Sequence, residues 1–252
     1  MTDQSFNFPK FYVTTPGPCP YLPERMERKV FTELAGGNPL ALNETLSQAG
    51  FRRSQSVAYR PACDGCNACT SVRLRAPDFN WTRSWRRIIN RNSDLIATEV
   101  PPWATTEQYD LLKRYLDARH PEGGMTDMSI IDYAEMVETS PVETHLVEYR
   151  LARPGSLEAH GLQPPSGRLI GVALIDVMTD GLSMVYSFFD PLEPRRSLGS
   201  YLILDHVRRA LGLCKNYVYL GYWVKGSRKM AYKASFSPLE RLTPAGWIEF
   251  QP

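Results

Sequence analysis

Met184-Val185-Tyr186-Ser187-Phe188-Phe189 is an aromatic and β-branched run that stops on Asp190 and Pro191. Such a run reads as a strand, and a carboxylate at its end can orient an ammonium group and accept its proton. An Asp before a proline also suits a plain turn. Ser197-Leu198-Gly199-Ser200 then opens a segment in which Leu202, Ile203, Val207, Ala210 and Leu211 recur at helical spacing. Free backbone N–H groups at that helix start could hold a phosphate; an N-cap by Ser197 or Ser200 is the plainer reading. The next strand-like stretch carries Tyr222 and runs into Lys229, Tyr232 and Lys233. A phenol there could protonate a departing alkoxide, and the lysines could hold a phosphate or a carboxylate. A solvated basic segment is the alternative.

The elements that must position these groups follow from pattern. Leu40 to Ala49 reads as a helix ended by Gly50. Pro23 followed by charged residues up to Phe31 reads as another. Val57 to Arg60 and Thr70 to Arg75 read as strands on either side of a cysteine loop. From Thr106 the order is helix, helix, three strands, helix, strand and a tail, with a polar surface loop over 154–167. That order is similar to acyltransferases of the GNAT type. The expected fold is α+β. A small N-terminal α+β unit with the cysteine loop spans 1–98. A GNAT-like acyltransferase domain with a mixed, mostly antiparallel sheet spans 99–252.

Composition narrows the partners. The net charge of +2 over 252 residues excludes a uniformly basic nucleic-acid coat but not local patches. One such patch is the helical stretch after Trp81, where Arg83, Arg87 and Arg91 share a face with Arg86 beside them. Phosphate contacts need charge more than exact geometry, so this face suits an RNA backbone; an exposed amphipathic helix is the bland reading. No apolar run is long enough to span a bilayer, and the N-terminus lacks a signal-peptide pattern. A cytoplasmic protein without membrane partners is expected. Cys63, Cys66 and Cys69 are spaced C-x2-C-x2-C, with Cys19 the natural fourth ligand. They could hold zinc or an iron–sulfur cluster, or pack as reduced thiols. Cys214 reads as a buried helix thiol.

Three segments in order carry a family resemblance. They are Gly50-Phe51-Arg52-Arg53-Ser54 with Tyr59-Arg60-Pro61 after it; Tyr186-Ser187-Phe188-Phe189-Asp190-Pro191 with Ser197-Leu198-Gly199; and Lys229-Met230-Ala231-Tyr232-Lys233. The sequence resembles the aminoacyl-tRNA–protein transferases of the arginyl-transferase family, and its cysteine loop and short chain look like the bacterial leucyl-transferring branch. The resemblance implies that the α-amine of a protein with N-terminal Asp or Glu attacks the ester of leucyl-tRNA, which creates an N-terminal degradation signal. An aminoacyl ester is already activated, so no cofactor is required for the chemistry. With that reaction in view, catalytic roles are expected for Asp190, Tyr222 and Tyr232, and substrate-binding roles for Arg52, Arg53, Ser54, Tyr186, Ser197, Gly199, Lys229 and Lys233. The charged face of Arg83, Arg86, Arg87 and Arg91 is the expected contact for the tRNA backbone. An arginyl donor with the same acceptors, or a CoA-dependent N-acyltransferase, are the alternatives. Pro194, Arg195 and Arg196 interrupt the glycine-rich loop a CoA enzyme would carry before the helix.

Overall fold

The computed structural model describes residues 9–119, 124–152 and 167–250. The loop expected over 154–167 lies outside them except for Gly167. The chain opens with β1 (Tyr12–Val13), β2 (Gly17–Pro18), β3 (Met26–Glu27), β4 (Lys29–Glu33), α1 (Pro39–Gln48), β5 (Arg52–Ser54) and β6 (Val57–Pro61). Four of these strands form a sheet in the order β1-β4-β6-β5. Leu34, Leu46, Phe51 and Ala58 form the small core beneath it. α1 starts as the sequence suggests: Pro39 opens it and the Asn38 side chain accepts from the Ala41 N–H at 3.0 Å. The stretch from Pro23 to Phe31 does not form the helix its proline and charges suggest. Val30, Phe31 and Thr32 pair with β6 instead, as their branched and aromatic side chains favour.

The chain continues through β7 (Cys69–Arg75), α2 (Arg83–Arg91), β8 (Leu95–Val100), α3 (Thr106–Arg119), α4 (Ile130–Glu138), β9 (Thr144–Leu151) and β10 (Leu169–Val177). It ends with β11 (Gly181–Phe189), α5 (Leu198–Gly212), β12 (Tyr217–Val224), β13 (Leu239–Thr243) and β14 (Gly246–Glu249). Eight strands make one sheet in the order β14-β13-β7-β12-β11-β10-β9-β8. β11 and β12 run parallel, joined by α5; the other neighbours are antiparallel. This is the mixed, mostly antiparallel α+β arrangement that the pattern predicts.

Helices cover both faces, which is why β10 is apolar apart from Asp176. Val172 and Leu174 meet Leu111, Leu112 and Leu116 of α3 and Tyr133 of α4. Ala173 and Ile175 share the other core with Leu202, Val207 and Ala210 of α5 and Ile89 of α2. One sheet crosses the boundary expected at residue 98. β7 lies before it, yet it is an inner strand between β13 and β12, and β8 is the edge strand beside β9. The stretch after Val224 is not a bare tail either, since it returns as β13 and β14. On the side away from β11, β12 pairs with β7, which ties the first third of the chain into the large sheet.

Candidate active site at the split between β11 and β12

β11 and β12 pair only from Gly181, Leu182 and Ser183 to Tyr217, Val218 and Tyr219. Beyond that point they part, and β12 continues along β7 with a shift in register between Tyr219 and Gly221. A split strand pair leaves backbone groups without partners, and buried ones must be satisfied. Two cations do this. Arg52 Nη2 donates to the carbonyls of Met184 and Val185, 3.0 Å from each. Lys233 Nζ donates to the carbonyls of Leu220 at 2.8 Å and Tyr222 at 2.6 Å. Gly221 makes room for the first of them. Its φ is +71°, and a Cβ there would stand 1.9 Å from Nη1 of Arg52. Burial, with the nearby Arg52 guanidinium, holds the Lys233 ammonium well below the ordinary lysine pKa.

The surrounding residues expected from the sequence divide sharply. Tyr222 is buried, and its hydroxyl lies 2.9 Å from the Gly50 carbonyl and 3.0 Å from the Tyr59 carbonyl. Burial raises its pKa, with the Tyr59 phenol second among the causes. That hydroxyl fastens the small sheet to the large one, so it is not free to protonate a leaving group. Arg53 is likewise spent. Its Nε and Nη2 grip both oxygens of Asp176 at 2.7 and 2.6 Å, and Nη2 also reaches Thr144 Oγ1 at 3.2 Å. It is 5% exposed, which excludes a substrate contact. Lys233, at 5% exposed, also serves the backbone rather than a ligand. Ser54 is exposed at the end of β5, where it pairs with Val57.

Asp190 closes β11 but does not face Tyr222. Its Oδ2 pairs with Arg168, and its Oδ1 accepts from the Leu192 N–H at 2.9 Å. Arg168 also binds Glu193 at 2.5 Å, so it staples the turn between β11 and α5. Sequence reasoning misses Arg168 because it follows a long polar loop and only the fold brings it to this turn. At the start of α5, Ser197 has a left-handed backbone (φ 55°) and its side chain makes no cap. Its carbonyl accepts the Ser200 and Tyr201 N–H groups at 3.0 Å each. Gly199 serves packing: a Cβ there would stand 3.1 Å from the Phe189 ring. Arg196 is tied to Asp94 by two 2.8 Å bonds.

A ring of tyrosines lies around the split. Tyr115 of α3 and Tyr21, between β2 and β3, both lie near enough to Tyr186 of β11 and Tyr232 after β12 to raise the pKa of each, after burial as the first cause. Tyr232 rises to about 12 although 46% of its surface is exposed. Arg52 acts on Tyr21 and Tyr232 in the opposite sense. Tyr21 and Tyr115 have no motif around them, and nothing in the sequence marks them. Beside Tyr115, the Arg119 guanidinium lies 5.6 Å over the Phe189 ring. Among the described residues neither Arg119 nor the exposed Lys229 pairs with a carboxylate.

Residues 107–243 match the family described as "Arginine-tRNA-protein transferase, C terminus", and residues 17–87 match the corresponding N terminus. The chain belongs to the arginine-tRNA-protein transferase family. Curated relatives agree over the whole length. An aspartate/glutamate leucyltransferase of Parvibaculum lavamentivorans is 58% identical over 98% of each chain. One of Methylorubrum extorquens is 56% identical over 100% of both, and one of Rhizobium leguminosarum bv. trifolii is 56% identical over 100% of this chain and 96% of its own. Among solved structures, L-PGS from Bacillus licheniformis aligns with 12% identity and a TM-score of 0.45, over 76% of this chain and 52% of its own.

Two further features of this family member lie outside the split. Arg83, Arg86, Arg87 and Arg91 are all exposed on α2, as their spacing predicts. Arg91 donates to the Arg195 carbonyl; the other three meet no carboxylate among the described residues. α2 is held from beneath by Trp85, whose ring stacks on Phe236 at 4.5 Å and 5°. Arg208 of α5 lies 5.5 Å over Trp81 and extends the basic face. Cys19, Cys63, Cys66 and Cys69 line one cavity of about 140 Å³ with Tyr21, Tyr59 and Tyr222. Burial and the three other thiols push the Cys69 thiol up to about 11. The donor set suits zinc or an iron–sulfur cluster, but among the described residues no three such donors stand close enough to hold an ion. The fit is one of chemistry and not of geometry.

Proposed function

We propose that this protein transfers leucine from leucyl-tRNA to the α-amine of proteins that begin with Asp or Glu. The single observation that carries this is the full-length similarity to relatives named aspartate/glutamate leucyltransferase, within a family of tRNA-dependent protein transferases. In the reaction the amine nitrogen attacks the ester carbonyl carbon. A C–N bond forms, the ester C–O bond breaks, the amine loses a proton and the ribose oxygen gains one. No cofactor enters that balance. The protein supplies position and charge.

The exposed arginines of α2 suit the tRNA backbone. The tyrosine-lined split suits the aminoacyl end. Asp190 is 2% exposed and engaged by Arg168 and the Leu192 N–H, so it suits holding the turn before α5 more than meeting the attacking amine. Lys229 and Arg119, unpaired with a carboxylate among the described residues, suit an acceptor carboxylate. The carbonyls at the split are already satisfied by Arg52 and Lys233, which opposes a CoA arm pairing there. The product would carry an N-terminal leucine as a degradation signal, in the cytoplasm. The four thiols take no part in that balance, although their cavity shares Tyr21 and Tyr222 with the split. They would hold zinc or a cluster only by closing on it, and metal analysis of anaerobically purified protein that finds neither zinc nor iron removes that part.

The test offers labelled leucyl-tRNA and arginyl-tRNA to peptides that begin with Asp, Glu, Lys or Ala. Leucine should pass to the Asp and Glu peptides. Equal transfer to the Lys peptide contradicts the acceptor assignment, and preference for arginine contradicts the donor.

A further inference from the structure

Arg52 and Lys233 come from opposite ends of the chain and meet at one split. Each caps two carbonyls of a different strand: Met184 and Val185 on β11, Leu220 and Tyr222 on β12. The pair is a costly way to satisfy four carbonyls. The ammonium is buried, and Arg52 adds like-charge repulsion to the cost of burial. Water or a pair of uncharged donors would meet the same need with less. Gly221 gives up a side chain, and adopts a left-handed backbone, in the place the guanidinium occupies. The residues beside the clamped carbonyls carry the tyrosine ring. Tyr186 follows Val185, and Tyr232 precedes Lys233. Among the described residues the Tyr186 and Tyr232 hydroxyls make no hydrogen bond.

We propose that Arg52 and Lys233 are positioning residues for the transfer reaction. Arg52, bonded to β11 and seated in the space left by Gly221 on β12, fixes the width of the split, while Lys233 holds the β12 edge; together they set Tyr186 and Tyr232 where they receive the aminoacyl-ester end of the donor. Arg52 therefore acts through the backbone of β11 and does not bind substrate itself. This rests on the transferase reading above.

The experiment measures kcat and KM for leucyl-tRNA, with an Asp-initiated peptide, in Arg52→Met, Gly221→Ala and Tyr133→Phe, alongside thermal unfolding. Gly221→Ala keeps the arginine but takes its space. Tyr133→Phe removes a buried hydrogen bond to Gln108, 3.0 Å long, away from the split. It reports what lost stability alone does. Arg52→Met and Gly221→Ala should each lower kcat at least fivefold with KM changed less than threefold, while Tyr133→Phe keeps kcat within fivefold. A kcat within fivefold of the parent in a folded Arg52→Met or Gly221→Ala protein overturns the proposal. So does an equal loss in Tyr133→Phe, a loss confined to KM, or failure of both split variants to fold, since the pair would then be structural only. A parent that transfers neither leucine nor arginine removes the transferase reading and this proposal with it; an active parent with unaffected variants removes this proposal alone.

Discussion

Arg52-Arg53 and Arg86-Arg87 are the same dipeptide with opposite fates. The first pair sits on β5, where successive side chains point to opposite faces. Arg52 goes to the β11/β12 split and Arg53 to Asp176, and both guanidiniums are consumed by fixed partners. The second pair sits on α2, exposed, with no carboxylate beside it among the described residues. The difference teaches that charge in this protein is used in two ways. The arginines of β5, Arg53 buried and Arg52 half-buried, join the small sheet to the large one. The exposed arginines of α2 meet no carboxylate among the described residues, which is what the proposed tRNA contact requires. A surface dipeptide would lose little on replacement, while a buried one would leave its partners unpaired.

That contrast can be broken most forcefully at Arg53. Arg53→Ala strands the Asp176 carboxylate, which is 1% exposed. Breaking a buried pair costs about 3–5 kcal/mol, so denaturant unfolding should show a loss of that size; a loss below about 1 kcal/mol would place Arg53 with the surface arginines. Next comes Tyr222→Phe. Removing the hydroxyl that joins Gly50 and Tyr59 leaves buried carbonyls short of a donor and should cost about 1–3 kcal/mol. An unchanged stability would mean that the two sheets are held together without it.

On the exposed side, replacing Arg83, Arg86 and Arg87 together by Gln should leave stability within about 0.5 kcal/mol of the parent per site. It should raise KM for leucyl-tRNA and flatten its salt dependence, by a slope of about 0.7–0.9 for each phosphate that is no longer neutralised. An unaltered salt slope would move the tRNA surface elsewhere. The smallest effect is at Lys233. Its folded pKa is below the unfolded value, so the unfolded chain holds more protons between the two. Stability from this group is then fullest above the ordinary lysine value of about 10.4 and is lost as pH falls toward the lowered one. The stability of the parent relative to Lys233→Met should therefore grow as pH rises from neutral to about 10. A flat difference would mean that the ammonium is not held down.

The sequence discloses most of what depends on neighbours along the chain. α1, α3 and α5 follow their apolar periodicity, and α2 exposes the arginines that its spacing groups. β10 and β11 are mostly apolar or aromatic because both of their faces are covered. Long-range partners are not legible. Arg52 finds its carbonyls on β11, at positions 184 and 185, through folding alone. Gly221 looks like any glycine in a strand until the guanidinium fills its missing side chain. Arg168 reaches Asp190 only because β10 and β11 are paired. The stretch after Pro23 reads as a helix because a proline before charged residues suits a first turn, but pairing with β6 outweighs that local preference. Tyr222 and Lys233 do lie near the centre, while their polar atoms are engaged with backbone. Motif residues mark the neighbourhood of a site; hydrogen-bond partners decide which of them remain free to act.

The central claim is tested most directly by mass spectrometry of a peptide with N-terminal Asp, incubated with the purified protein and leucyl-tRNA. The account predicts one leucine added at the peptide's N-terminus, and none when that amine is acetylated. Absence of leucine addition to the free amine, or addition that persists on the acetylated peptide, would contradict it.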